Sequence, residues 1–163
     1  MCFIWSLFYS TLVHILKVKF RRILVGIKAH NESKEVADHA IAIAKNCNSE
    51  LHVITVFDVP DIYTSQINSG KLSHHLMKEI LEKIENNLLA IKKDAEKEGL
   101  FVVTKLIDEN IRPEKSLLMY CKNNDIDLII VGKGKGVNLK EWILGSTALE
   151  IVKYSDCGVM IVK

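Results

Sequence analysis

The chain is expected to fold as an α/β domain around a doubly wound, five-stranded parallel sheet, and three features of its sequence predict this. Short runs rich in β-branched residues recur at residues 22–27, 51–57, 100–106, 127–131 and 158–162. They are apolar nearly throughout rather than alternating, as strands buried on both faces are. Between them lie segments with helical spacing, long enough for the right-handed crossovers that join parallel strands. The fourth run breaks into Gly132-Lys133-Gly134-Lys135-Gly136 and later reaches Gly145-Ser146-Thr147. Strand, glycine loop and helix start in that order present unpaired N–H groups and a positive dipole end, which suit phosphate.

Each element has its own signal. Arg22-Ile23-Leu24-Val25-Gly26-Ile27 makes the first strand, and Asn31-Glu32-Ser33 supplies cap residues for a helix with Val36, Ala40, Ile43 and Ala44 on one face. The second strand, Leu51 to Phe57, ends at Asp58 and Pro60, and the polar stretch to about Ser73 reads as a loop. From Leu76, the positions Ile80, Ile84, Leu88, Ile91 and Ala95 keep helical spacing, with Gly99 as the C-terminal stop. A heptad dimer is the weaker reading of that helix. Residues 100–106 form the third strand, and Pro113 sits where a first helical turn tolerates proline, ahead of Leu117, Leu118 and Cys121. After the fourth strand and the glycine loop, Thr147-Ala148-Leu149-Glu150 has the form of a capping box, and Gly158 to Val162 closes the chain as a fifth strand.

Composition narrows the function classes. At 163 residues, 48% apolar and 26% charged, the sequence suits one ordinary globular domain. The net charge is +2, from 22 basic and 20 acidic residues that are interspersed, so nucleic acid is not expected as a partner. Cys2, Cys47, Cys121 and Cys157 are widely spaced and show no C-x-x-C pair, which reads as reduced, buried thiols in a cytosolic protein. Residues 1–19 stand apart as an apolar extension: Met1 to Leu16 has no formal charge and is followed by Lys17, Lys19, Arg21 and Arg22. Three readings stay open for it: a mis-set start with the natural chain beginning near Val18 or Phe20, a short membrane anchor or interfacial segment, and an ordered extension. The run is short for a membrane span, and its charges follow the apolar stretch where a signal peptide would place them first.

Topology places the site. Five strands with crossover helices most often take the order 3-2-1-4-5, a Rossmann-like arrangement in which ligands bind at the carboxyl ends of the strands where the chain reverses. That point lies between strands one and four, so the loops after Ile27 and Val131 face each other. Lys28, Lys133 and Lys135 would then converge near the helix that begins at Ser146, giving a pocket suited to a polyanion.

Gly132, Gly145 and Ser146, carried on a fourth strand and ahead of a final helix and a Cys-Gly-Val-Met-Ile-Val strand, resemble the universal stress protein family. Its nucleotide-binding members carry G-x2-G-x9-G-[S/T]. The resemblance covers residues 20–163 and also rests on the Arg-Ile-Leu-Val-Gly-Ile first strand, on Arg112-Pro113-Glu114, and on the Asp125-Ile126-Asp127 approach to the fourth strand. It implies the adenine nucleotide alpha hydrolase-like fold and a stress-response protein binding ATP or a related nucleotide, with Mg accompanying it. The ligand set it implies is Lys28, Ala29, Val56, Gly132, Lys133, Gly134, Lys135, Gly136, Gly145, Ser146 and Thr147. Two positions depart from the family's pattern. Its second glycine falls at Lys135, between Gly134 and Gly136, and the aspartate that ends the first strand in nucleotide binders is matched by Lys28. The second functional class is a member of the same fold without nucleotide, acting as a dimeric interaction or regulatory module.

Other candidates are weaker. His74 and His75 are adjacent and lack partners at ligand spacing, which suits a solvated helix start better than a metal site. His30, after the first strand, is the one histidine placed to reach the crevice, and Trp142 and Ile143 read as core or as a lid. No Ser-His-Asp order, G-x-S-x-G elbow, H-E-x-x-H or P-loop ending is present, so slow hydrolysis is the most turnover expected. The last strand, if it is an edge, invites pairing with a second copy, as in many members of the family, and a cytoplasmic homodimer is expected. A membrane partner is expected only if residues 1–16 act as an anchor.

Overall fold

The computed structural model describes residues 20–28, 33–57, 74–107, 111–134 and 144–163. Along them run β1 (Arg22–Ile27), α1 (Ser33–Cys47), β2 (Glu50–Val56), α2 (His74–Lys97), β3 (Val102–Ile107), α3 (Pro113–Asn123), β4 (Leu128–Gly132), α4 (Ser146–Tyr154) and β5 (Gly158–Val162). The strands form one sheet in the order β3-β2-β1-β4-β5, and every neighbouring pair is parallel. This is the doubly wound fold that the sequence implies. The extension at residues 1–19, the caps Asn31 and Glu32, the loop at 58–73, His30, Trp142 and Ile143 lie outside the described residues.

Two apolar layers explain why the strands are apolar on both faces. On one, Ile23, Val25, Leu51 and Val53 meet Val36, Ala40 and Ala44 of α1 and Ile84, Leu88, Ile91 and Ala95 of α2. On the other, Leu24, Ile54, Ile129 and Val131 meet Leu117 and Cys121 of α3 and Ala148 and Ile151 of α4. Alternate residues of β1 thus feed opposite cores.

The element ends follow from local hydrogen bonds. Gly99, at φ +79°, stops α2 as expected, and the Leu100 N–H donates to the Ala95 carbonyl at 3.2 Å. That bond holds Leu100 in the helix's closing turn, so β3 begins at Val102, later than residue 100. β2 begins one residue earlier than expected, because Glu50 pairs in register with Arg22 and its N–H donates to the Arg21 carbonyl at 2.9 Å. Pro113 occupies the first turn of α3, as its missing N–H allows. The capping box at Thr147 is corrected. α4 starts at Ser146, so Gly145 is the cap residue and Thr147 already lies inside the helix. Glycine caps with its backbone alone, and among the described residues no cap side chain bonds the first amides of α4.

At the amino ends of the strands, Asp127 accepts the backbone N–H groups of Arg21 at 2.6 Å and Arg22 at 2.9 Å. The Arg22 guanidinium reaches the Asn124 carbonyl at 3.1 Å and Glu50 and Asp125 at 3.4 Å each. Arg21, Arg22, Glu50, Asp125, Ile126 and Asp127 line a cavity of about 570 Å³. It lies at the end of the sheet away from the switch point, and its charges stitch β1, β2 and β4 together.

Candidate functional site

The switch point falls between β1 and β4, which pair directly and whose outer partners are β2 and β5. Three of the site's glycines meet there. Gly132 ends β4 opposite Val162 of β5, and a Cβ on it would stand 3.2 Å from Val36 Cγ2 of α1. The next residue turns the chain: the Lys133 N–H donates to the Val162 carbonyl at 2.7 Å, and its own carbonyl accepts the Gly145 N–H at 2.9 Å. The two ends of the glycine loop are therefore clasped to each other, although residues 135–143 between them lie outside the described residues.

Gly134 carries the left-handed turn, with φ +77°. A Cβ there would sit 3.3 Å from Gly145 Cα, and one on Gly145 would sit 3.3 Å from the Lys133 carbonyl oxygen and 3.4 Å from Gly134 Cα. Backbone lies close to backbone at this crossing, which glycine at both positions accommodates without displacement. The family's second glycine is matched by Lys135, which lies outside the described residues, and the positive φ among the described part of the loop is at Gly134. The same contact brings in Lys28, whose Nζ lies 3.7 Å from the position a Gly134 Cβ would take. Lys28 of the three expected lysines therefore lies beside the glycine turn, while Lys135 lies outside the described residues.

Gly145 ends the turn and opens α4, so the amides of Ser146 and Thr147 begin a helix whose cap offers no side-chain acceptor. Ser146 is exposed and Thr147 half-buried. Among the described residues no side chain caps those first-turn N–H groups at the positive end of the helix dipole. Val56 closes β2, half-buried against the α3 and α4 layer. Of the sequence-derived set, Lys28, Gly132, Lys133, Gly134, Gly145, Ser146 and Thr147 line or adjoin one turn, whereas Ala29, Lys135 and Gly136 lie outside the described residues.

Two features were not foreseen. His52 is buried on β2, with Nδ1 2.9 Å from the Tyr120 hydroxyl of α3 and Nε2 3.2 Å from Glu50 Oε1. Burial pulls its pKa below the usual imidazole value, Arg22 adds to that effect, and Glu50 opposes it. Glu114, on the first turn of α3, is buried as well and pairs with Arg112 Nε at 2.5 Å. Polar residues at strand and helix starts carry no periodic signal, so a sequence gives little warning of their burial. Among the described residues, no group of three or more His, Cys, Asp or Glu side chains could hold a metal, and no helix is long and apolar enough to cross a membrane.

A parallel sheet in this order, with glycines packed closely at the reversal point, defines a doubly wound, Rossmann-like α/β domain. The universal stress protein family model matches residues 19–163, and the chain belongs to that family. Universal stress protein MJ0531 of Methanocaldococcus jannaschii is 30% identical over 145 residues, covering 88% of this chain and 82% of that protein. Among solved structures, hypothetical protein MJ0577 from the same organism superposes with a TM-score of 0.72 at 24% identity, over 90% of this chain and 97% of that one. A universal stress protein in complex with cAMP superposes at 0.62 with 19% identity, over 88% and 97% of the respective chains. At these identities the two structures speak for the fold alone.

Proposed function

We propose that this universal stress protein binds an adenine nucleotide at the crevice between β1 and β4, with the phosphates on the turn made by Gly132, Lys133, Gly134 and Gly145 and on the first amides of α4. The observation that carries the reading is the Gly134–Gly145 crossing. It keeps side chains out of the turn, aims an open helix start at the same place, and has Lys28 Nζ beside it. A polyphosphate would gain charge-assisted hydrogen bonds from both backbone and ammonium donors. The residues present therefore fit ATP, and Mg would enter with the phosphates. The complex of a related protein with cAMP supports the choice of an adenine ligand.

Binding rather than turnover is the activity proposed, in a cytoplasmic homodimer. β5 is the outer strand beside β4, and Met160 on it is 39% exposed, so its outer edge suits pairing with a second copy. Light scattering behind size-exclusion chromatography checks this, and a monomer mass would reject the dimer. For the ligand, calorimetry with ATP on the wild type and on Gly145→Val is decisive. A valine Cβ at 3.3 Å from the Lys133 oxygen forces the clasp apart, so affinity should fall at least tenfold, about 1.4 kcal/mol. Equal affinity of the two proteins would reject the site. Native mass spectrometry of freshly purified protein should show a copurifying nucleotide.

A further inference from the structure

α3 and α4 start at the same end of the sheet, since each follows a strand's carboxyl end, and both pack on the face that holds Leu24, Ile54, Ile129 and Val131. Leu117 fixes the height of α3, because a Cβ on Gly26 would stand 3.0 Å from Leu117 Cδ1 and 3.2 Å from Val131 Cγ1. The helix runs against the strand direction. Glu114 therefore comes one turn before Leu117 at the level where Lys28 comes two residues after Gly26, on the same face of β1. Tyr120 fixes the rotation of α3. Its hydroxyl lies 2.9 Å from His52 Nδ1 of β2, and Lys105 Nζ of β3 lies 5.8 Å from its ring, so that flank of the helix faces β2 and β3. Glu114 stands about a third of a turn round from Tyr120, with sheet-facing Leu117 between them, and so lies on the opposite flank, toward β4 and α4.

The Glu114 side chain is only 7% exposed. Arg112 Nε lies 2.5 Å from its Oε1, yet among the described residues that oxygen accepts no hydrogen bond. A carboxylate oxygen taken out of water without a hydrogen-bond donor is costly, and at a crevice wall it suits a ligand that brings the donor. Resting on the nucleotide reading of the crevice, we propose that Glu114 accepts hydrogen bonds from ribose hydroxyl groups and so selects a ribonucleotide over a bare polyphosphate. A carboxylate repels phosphate and accepts strongly from hydroxyls, which divides the crevice by chemistry. Lys28 Nζ, beside Gly134, and the first turn of α4 take the phosphates, and Glu114, from the facing helix, takes the sugar. The order along the crevice matches the ligand, because in a nucleotide the sugar adjoins the phosphates as Glu114 adjoins the level of Lys28. An acidic side chain on a ribose hydroxyl is also how doubly wound dinucleotide sites hold their sugar.

Calorimetry on the full chain with ATP, 2′,3′-dideoxy-ATP and inorganic tripolyphosphate tests this role. The wild type should bind ATP about tenfold more tightly than the dideoxy analogue, as expected for a hydrogen bond to a charged acceptor. Glu114→Gln should bring ATP down to the level of the analogue and leave tripolyphosphate unchanged. Glu114→Asp keeps the charge but withdraws the carboxylate by one methylene; it should show the same loss, and it serves where the glutamine variant fails to fold. Equal affinity of the wild type for ATP and the analogue would overturn the role of Glu114 and leave the phosphate site standing. So would an ATP preference that survives both substitutions, or a loss shared equally by all three ligands. If the wild type binds none of the three, the nucleotide reading falls and this role falls with it.

Discussion

Gly134 and Gly99 offer an internally controlled measurement of the crevice, because both have left-handed backbones but different surroundings. Their φ values are +77° and +79°. Among the described residues, nothing lies within 4 Å of the place a Cβ on Gly99 would take, whereas the Gly145 Cα stands 3.3 Å from the corresponding place on Gly134. Gly99→Ala therefore costs the left-handed conformation alone, about 1 kcal/mol, partly offset by the smaller entropy of the unfolded alanine chain, about 0.4–1 kcal/mol. Gly134→Ala carries the same two contributions and adds a tight contact with the Gly145 backbone, relieved only by a backbone shift of a few tenths of an ångström. Strain of that kind costs about 1–3 kcal/mol, so Gly134→Ala should be the more destabilising by that amount. For a chain of this size, each kcal/mol moves the thermal midpoint by roughly 2–4 °C. Differential scanning calorimetry of the two variants should thus show a small shift for Gly99→Ala and a further fall of roughly 2–12 °C for Gly134→Ala. Equal midpoints would mean that the Gly134–Gly145 crossing is not tightly packed, and the phosphate cradle built on it would fail with it.

Lys28→Ala should weaken ATP binding by about 1.5–3 kcal/mol if its ammonium reaches a phosphate, and should weaken AMP binding less; equal losses for the two nucleotides would remove Lys28 from the phosphate end of the site. Ile151→Ala, at a fully buried position of α4, should cost about 2–5 kcal/mol in urea unfolding, whereas Val152→Ala, at a position 48% exposed, should stay within about 0.5 kcal/mol. The depressed pKa of His52 sets a pH dependence with a definite sign. Below the ordinary value of 6.5, the unfolded chain takes up a proton that folded His52 refuses, so stability falls as pH drops from there through its folded value. Above 6.5 this group contributes no slope. The urea midpoint followed through that window should flatten in His52→Gln; an unchanged slope would place the titration elsewhere.

Most of the fold was legible because the sheet is buried on both sides. A strand such as Leu24-Val25 must be apolar at every position when alternate residues enter separate cores, and that density of β-branched residues stands out from the spaced apolar positions of α2. What the sequence left out concerned ends rather than elements. Glu50 joins β2 only because Arg22 lies opposite it, and Leu100 leaves β3 only because Ala95 takes its N–H. Both facts are set by partners remote along the chain or by hydrogen bonds that residue type does not announce. The capping box at Thr147 failed for a related reason. Thr147 and Glu150 have the right spacing, but the clasp between Gly145 N–H and the Lys133 carbonyl sets where the chain can begin to coil, and it does so ahead of the threonine.

The site was legible in its outline, and its middle, with Lys135 and Gly136, lies outside the described residues. Reading Lys135 in place of a glycine treats the motif as a list of positions, each with its own residue. The geometry instead asks for a loop of fixed length whose ends meet, with a positive-φ glycine somewhere near the crossing. Among the described residues Gly134 has that positive φ, and Gly145 approaches it from the other side. Lys28 is a different matter, because an ammonium in place of a carboxylate alters what the crevice attracts rather than whether it forms. A carboxylate there would repel phosphate and favour hydroxyl groups, whereas Lys28 Nζ beside Gly134 adds a positive charge to the helix start. In the proposed site Lys28 would weigh the charge of the ligand above its sugar, and the ATP-against-AMP comparison on Lys28→Ala tests that preference directly.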